Sequence, residues 1–182
     1  MKVGLTGSSG TGKSYIASYI ADRYDLPICP VGARSVSAAM GFASPYDVDK
    51  IPGKRAEFQL RLFHEKREWE DRNSAFVTDR VHFDNLAYTA MGNAVDQLPS
   101  WAFQAYVDAT KNYTRIFYLP LRSYQALGND PQRKDDPTYH LMYDLLLQGL
   151  LREYVTNWTA LPEFKTRLDK VTQILGISSQ SK

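Results

Sequence analysis

The sequence predicts an α/β fold in which helices cover both faces of a parallel sheet. Short apolar runs rich in β-branched and aromatic residues alternate along the chain with longer segments whose apolar residues recur at helical spacing. That alternation is the signature of parallel strands joined by crossover helices. In the first unit, a β-prone run at 2–6 passes through a glycine-rich turn into a helix-patterned stretch at 13–24, where Ile16, Ala17, Ile20 and Ala21 share one face. At 182 residues and 43% hydrophobic content, the chain suits a single domain spanning 1–182.

The remaining elements follow in order. Residues 26–31 read as a short second strand, entered and left abruptly at Pro27 and Pro30. Residues 35–52 are small and turn-rich, whereas 54–72 form a highly charged helix carrying Phe58, Leu62, Phe63 and Trp69, expected to be partly exposed. Ala75-Phe76-Val77-Thr78 is a buried-strand candidate ending in Asp79-Arg80, with a helix expected over 84–91 and another over 100–111. Ile116-Phe117-Tyr118-Leu119 is a further strand, stopped by Pro120. A polar loop over 122–137 precedes a helix at about 138–154, and 162–175 supplies the last helix.

The bulk numbers narrow the function. Twenty-two Lys and Arg against 20 Asp and Glu give a formal charge of +2, which argues against a polyanion-coating protein, so any phosphate binding must be local. Cys29 is the single cysteine, which excludes an internal disulfide and a cysteine-based zinc site and fits a reducing compartment. The opening MKVGLTGSSG lacks the apolar core of a secretory signal, and no run approaches the ~20 apolar residues of a membrane span. A soluble, cytoplasmic protein with no membrane partner is the expectation.

Gly7-Ser8-Ser9-Gly10-Thr11-Gly12-Lys13-Ser14 matches G-x-x-x-x-G-K-S without a gap, between a predicted strand and a predicted helix. Glycines let the backbone turn tightly around phosphate oxygens, so that successive N–H groups and the positive end of the helix dipole face the anion. The pattern points to ATP held by these residues and the adjoining Tyr15. Lys13 would reach the β- and γ-phosphates, and the Ser14 hydroxyl would ligate Mg²⁺. No Asn-Lys-x-Asp guanine-reading motif is present, which argues against a GTP switch.

The strand ending in Asp79-Arg80 delivers a carboxylate and a guanidinium to the same sheet edge as the glycine-rich loop. A carboxylate there can take the proton of an attacking hydroxyl or order Mg²⁺ through water, and an arginine can hold the acceptor. His64 and His140 have no metal-ligand spacing with another histidine or cysteine.

Leu62-Phe63, Phe76-Val77-Thr78-Asp79-Arg80 and Asn85-Leu86-Ala87-Tyr88 together resemble the helix, "DR" strand end and following helix of thymidylate kinases and related deoxynucleoside kinases. Tyr118-Leu119-Pro120, Asn129-Asp130-Pro131-Gln132-Arg133 and the Leu-rich helix to Tyr154 resemble the lid region of NadR-like P-loop kinases, with proline where the related lid pattern has glycine. The resemblance implies a three-layer P-loop kinase fold with a five-stranded parallel sheet in the order 2-3-1-4-5 and a lid over about 122–137. It further implies Asp79 as catalytic carboxylate, Arg80 as acceptor-binding residue and Arg133 as a lid residue against the transferring phosphate. Five basic residues between Lys111 and Lys134, Arg122 among them, against Asp130 agree with a lid over phosphates.

On the acceptor side, Arg34, Phe42 and Tyr46 combine an arginine with aromatic faces suited to a nucleobase, and His82 follows the Asp-Arg pair. The expected activity is therefore ATP-dependent phosphorylation of a nucleoside or (deoxy)nucleoside monophosphate. Two alternatives stay open: a hydroxymethylated pyrimidine in DNA as acceptor, as for some phage-encoded P-loop kinases of similar size, and a regulatory ATPase with no acceptor. A homodimer also stays open.

Overall fold

A computed structural model of the protein describes residues 1–121 and 136–176. The elements are β1 (Lys2–Thr6), α1 (Lys13–Tyr24), α2 (Ala33–Ala39), α3 (Lys54–Arg72), β2 (Phe76–Asp79), α4 (His82–Met91), α5 (Ala102–Lys111), β3 (Arg115–Tyr118), α6 (Pro137–Tyr154), β4 (Trp158–Ala160) and α7 (Arg167–Leu175). Among the described residues the sheet has four strands, all pairs parallel, in the order β2-β1-β3-β4.

The side-chain alternation of the strands divides the core. Val3, Leu5, Val77 and Phe117 face one way and pack under α1 and α7 with Ile16, Ile20 and Val171. Phe76, Ile116 and Tyr118 face the other way and pack under α4, α5 and α6 with Phe83, Val107, Tyr143 and Leu147. The sheet is thus covered on both faces, as the strand-helix alternation requires. Close approach explains Gly4, where a β-carbon would collide with Val81 of the next crossover.

Three expectations are corrected. Among the described residues the sheet has four strands rather than five in the order 2-3-1-4-5, because the segment at 26–31 contributes only an isolated bridge, Ile28 beside Val77. Cys29 donates to the Val77 carbonyl at 2.9 Å and Val77 to the Pro27 carbonyl at 3.0 Å, and pairing stops there since Pro27 and Pro30 have no N–H to extend it. Part of the turn-rich stretch is helical, as α2, where Ser35 closes the first turn by accepting from the Gly32 amide at 3.1 Å. The last helix begins at Arg167 instead of 162, after a 3-10 turn at Phe164–Thr166. β4 itself is a three-residue edge strand that the sequence did not announce.

Candidate active site

The C-terminal ends of β1 and β2 and the N-terminus of α1 converge on a cleft of about 680 Å³, walled on its far side by α2 and α3. The turn between β1 and α1 runs through left-handed backbone at Gly7, Gly10 and Gly12, with φ of 136°, 78° and 91°. At Gly7 a β-carbon would also strike the Leu119 carbonyl oxygen, so only glycine fits. Lys13 is buried, and its ammonium lies back across the loop, donating to the Ser8 carbonyl at 2.7 Å.

Ser14 and Asp79 meet at the cleft: the Ser14 hydroxyl donates to Asp79 Oδ2 at 2.5 Å, while Asp79 Oδ1 is buried with no hydrogen-bond partner. A hydroxyl and a carboxylate in contact, one oxygen still unsatisfied, are the hard donors that Mg²⁺ prefers alongside phosphate oxygens and water. The pair fits that ion.

Arg80 follows in a backbone conformation unusual for a side-chain-bearing residue, φ 115°. Its guanidinium donates to Asp84 Oδ1 at 3.0 Å, to the Tyr143 hydroxyl at 3.2 Å and to the Ser9 hydroxyl at 3.3 Å, and it lies over the Tyr88 ring at 5.1 Å. Asp84 is fully buried and accepts three more bonds, from the Thr6 hydroxyl at 2.7 Å, the Val81 amide at 2.8 Å and the Tyr143 hydroxyl at 2.5 Å. Helix α6 touches the loop from the other side, with His140 Nδ1 2.8 Å from Ser8 Oγ.

Of the expected site residues, Ser9, Gly10, Gly12, Lys13, Ser14, Tyr15, Arg34, Tyr46, Asp79 and Arg80 line this one cleft. Gly7, Ser8 and Thr11 shape the loop without lining it. Phe42 packs instead on the small cluster of Val36, Val48, Phe58 and Leu62. His82 is fully buried away from the cleft, its Nε2 2.9 Å from Glu70. Arg133, Arg122 and all of the expected lid at about 122–137 except Asp136 and Pro137, which open α6, lie outside the described residues.

Residues not singled out from the sequence complete the cleft. Arg55, Gln59 and Lys66 line it from α3, and Asn85 and Tyr88 from α4. Gln59 Oε1 and Asn85 Nδ2 are buried without hydrogen-bond partners, a state that costs free energy unless a ligand or water meets them. The signal was present in α3: Arg55, Gln59, Leu62, Lys66 and Glu70 recur at steps of four and three, placing polar groups on the buried stripe.

Behind the cleft lies a buried polar cluster. Glu70 accepts from the Tyr113 hydroxyl at 2.6 Å and from His82 Nε2 at 2.9 Å, and the Lys66 ammonium is 3.9 Å away. Burial alone would push the Glu70 carboxyl up, but the His82 ring N–H, the Lys66 charge and the Tyr113 hydroxyl outweigh it and hold it below its ordinary value. Burial pushes His82 below the ordinary 6.5, despite the opposing pull of Glu70. Both depressed groups bind more protons when unfolded, so both contribute stability that is lost as pH falls, His82 from about 6.5 downward and Glu70 below about 4.5. The urea unfolding midpoint should therefore decline between about pH 7 and about pH 4, and a flat profile there would contradict this arrangement.

Comparisons with known proteins agree with the architecture. A family model described as an AAA domain matches residues 2–168. No curated protein sequence matches the chain significantly. Among solved structures, a deoxyadenosine kinase from M. mycoides with dCMP and a flexible dCDP bound superposes with a TM-score of 0.65 at 14% identity, covering 96% of this chain and 98% of that one. NadR in complex with NAD and AMP-PNP gives 0.69 at 15% identity, covering 99% of this chain and 51% of that one. YorR from Bacillus subtilis, in complex with phosphorylated GDP, gives 0.58 at 13% identity, covering 95% and 94%. At these identities the likeness shows a shared α/β fold. Among the described residues no helix is long and apolar enough to cross a membrane.

Proposed function

The chain belongs to the AAA-domain family, and from that premise we propose that it transfers the terminal phosphoryl group of ATP to a nucleoside or a (deoxy)nucleoside monophosphate. The observation that carries this reading is the Ser14–Asp79 pair beside the glycine-rich loop, with Asp79 Oδ1 unsatisfied, in a cleft whose lining extends to α2, α3 and α4. A loop that only held nucleotide as a signal would not need a cleft lined also by α2, α3 and α4.

In this reading the loop amides and Lys13 hold the β- and γ-phosphates, and Arg80 stabilises charge on the transferring group. Ser14 and Asp79 would hold Mg²⁺, which when bound neutralises charge on the phosphates. Asp79 takes the proton from the acceptor hydroxyl as its oxygen bonds to the γ-phosphorus and the bond to the ADP oxygen breaks. A monophosphate acceptor attacks through a phosphate oxygen instead. Gln59 and Asn85 place amide side chains in the cleft wall, suited to a heteroatom-bearing group such as a base, and Tyr46 adds an aromatic ring to the lining.

Arg55 is held by Asp49 through two guanidinium nitrogens, with Nε 2.6 Å from the carboxylate, so it meets a charged substrate only by loosening that pair. A monophosphate would be met by Arg34.

The test is a mass-resolved transfer assay with ATP, Mg²⁺ and panels of nucleosides, monophosphates and hydroxymethylated DNA. Product is expected with a nucleoside or monophosphate and should be lost by about 10²–10³-fold in Lys13→Met, the scale for removing a preorganised charge at the transferring group. Transfer to modified DNA alone, or hydrolysis with no acceptor, would replace the proposal.

A further inference from the structure

The left-handed backbone of Arg80 is held by contacts that reach well beyond the strand end. Its carbonyl oxygen accepts two hydrogen bonds, from the Lys66 ammonium and from the Thr78 hydroxyl at 3.0 Å. Lys66 is 3% exposed and is itself held in the cluster of Glu70, His82 and Tyr113, with Glu70 on the next turn of α3. A residue with a side chain keeps a positive φ only where its surroundings over-determine it, and a buried cation on the carbonyl does that. The consequence is directional. With the carbonyl turned back toward α3, the guanidinium reaches across to the loop, where it donates to the Ser9 hydroxyl and to the Gly7 carbonyl at 3.5 Å.

We infer that Lys66 is a positioning residue for phosphoryl transfer: it fixes the backbone of Arg80 so that the guanidinium faces the glycine-rich loop. The inference rests on the reading of the cleft as a transfer site but assigns Lys66 no contact with substrate. Lys66 lines the cleft, so direct contact with an acceptor is the competing role, and the two separate kinetically. A positioning residue acts through Arg80 on the transition state and changes kcat, whereas an acceptor contact changes the acceptor KM.

Two variants test it. Lys66→Met leaves Glu70 charged and buried without its cation, so it should lose stability as well as activity. Lys66→Met combined with Glu70→Gln removes both charges and should regain much of the thermal stability. The expected result is that kcat stays down by about 10–100-fold in the double variant, the cost of a displacement of about 1 Å at a catalytic group, with KM for ATP and acceptor near the parent values. A kcat that returns together with stability would mean a merely structural role and overturn the inference. So would a raised acceptor KM at parental kcat.

A crystal structure of the double variant gives a readout that needs no acceptor. Arg80 should leave the positive-φ region and its guanidinium should part from Ser9. An unchanged Arg80 overturns the inference even if the parent protein phosphorylates a nucleoside. A displaced Arg80 upholds its structural half even if no acceptor is found, in which case it is the transfer reading that fails.

Discussion

Asp79→Asn is expected to lower kcat by about 10²–10⁴-fold while leaving ATP affinity close to that of the parent protein, the range typical of losing a positioned acid or base. The substitution keeps the side chain's shape and its ability to accept from Ser14, 2.5 Å away, but removes the charge from Oδ1, the oxygen that has no partner in the protein. Nucleotide binding depends on the loop amides and Lys13, which the substitution leaves in place. The effect should therefore fall on turnover. Steady-state kinetics together with calorimetric titration of a non-hydrolysable ATP analogue separate the two quantities. Parental turnover in the variant would remove Asp79 from the chemistry, and a parallel loss of turnover and affinity would make it a binding group.

What could be read from the sequence divides by whether neighbours in space are also neighbours along the chain. The loop from Gly7 to Ser14 is contiguous, and its strand-turn-helix context is local, so the fold places it as the pattern requires. Asp79 and Arg80 were legible because an apolar run ending in a carboxylate marks a strand's C-terminal edge, and parallel pairing of β1 with β2 brings that edge beside the loop. Beyond Asp84, four residues on, the partners of Arg80 were not legible: Gly7 and Tyr143 lie 73 and 63 residues away in the chain. His82 was expected near the acceptor because it follows Arg80 closely. It is instead the first residue of α4, and there its ring turns into the core toward Glu70. β4 escaped notice for a physical reason too, since Trp158-Thr159-Ala160 is short, only partly buried and lacks the apolar run that a central strand carries. The polar stripe of α3 was within reach of periodicity alone, as four hydrophilic side chains repeat at the spacing of its apolar face.

The largest loss of stability is expected from Asp84→Ala. This carboxylate is fully buried and receives four donors from separate parts of the fold: Thr6 at the end of β1, the Val81 amide at the start of α4, Arg80, and Tyr143 of α6 at 2.5 Å. Burial and the neighbouring Asp84 charge push the Tyr143 hydroxyl well above its ordinary value, so it remains a donor throughout the useful pH range. Alanine would strand two buried hydroxyls, a helix-terminal N–H and a guanidinium that is only 26% exposed. Removing one member of a buried charge pair costs about 3–5 kcal/mol, equivalent to a fall in Tm of roughly 10 °C for a chain of this size. Asp84→Asn should lose less, because the amide oxygen still accepts from two donors while its NH₂ opposes the other two. Thermal and urea unfolding of both variants measure the difference. A loss below about 1 kcal/mol in Asp84→Ala, the scale of a single ordinary hydrogen bond, would mean that Arg80 and Tyr143 find other partners and that Asp84 does not organise the site.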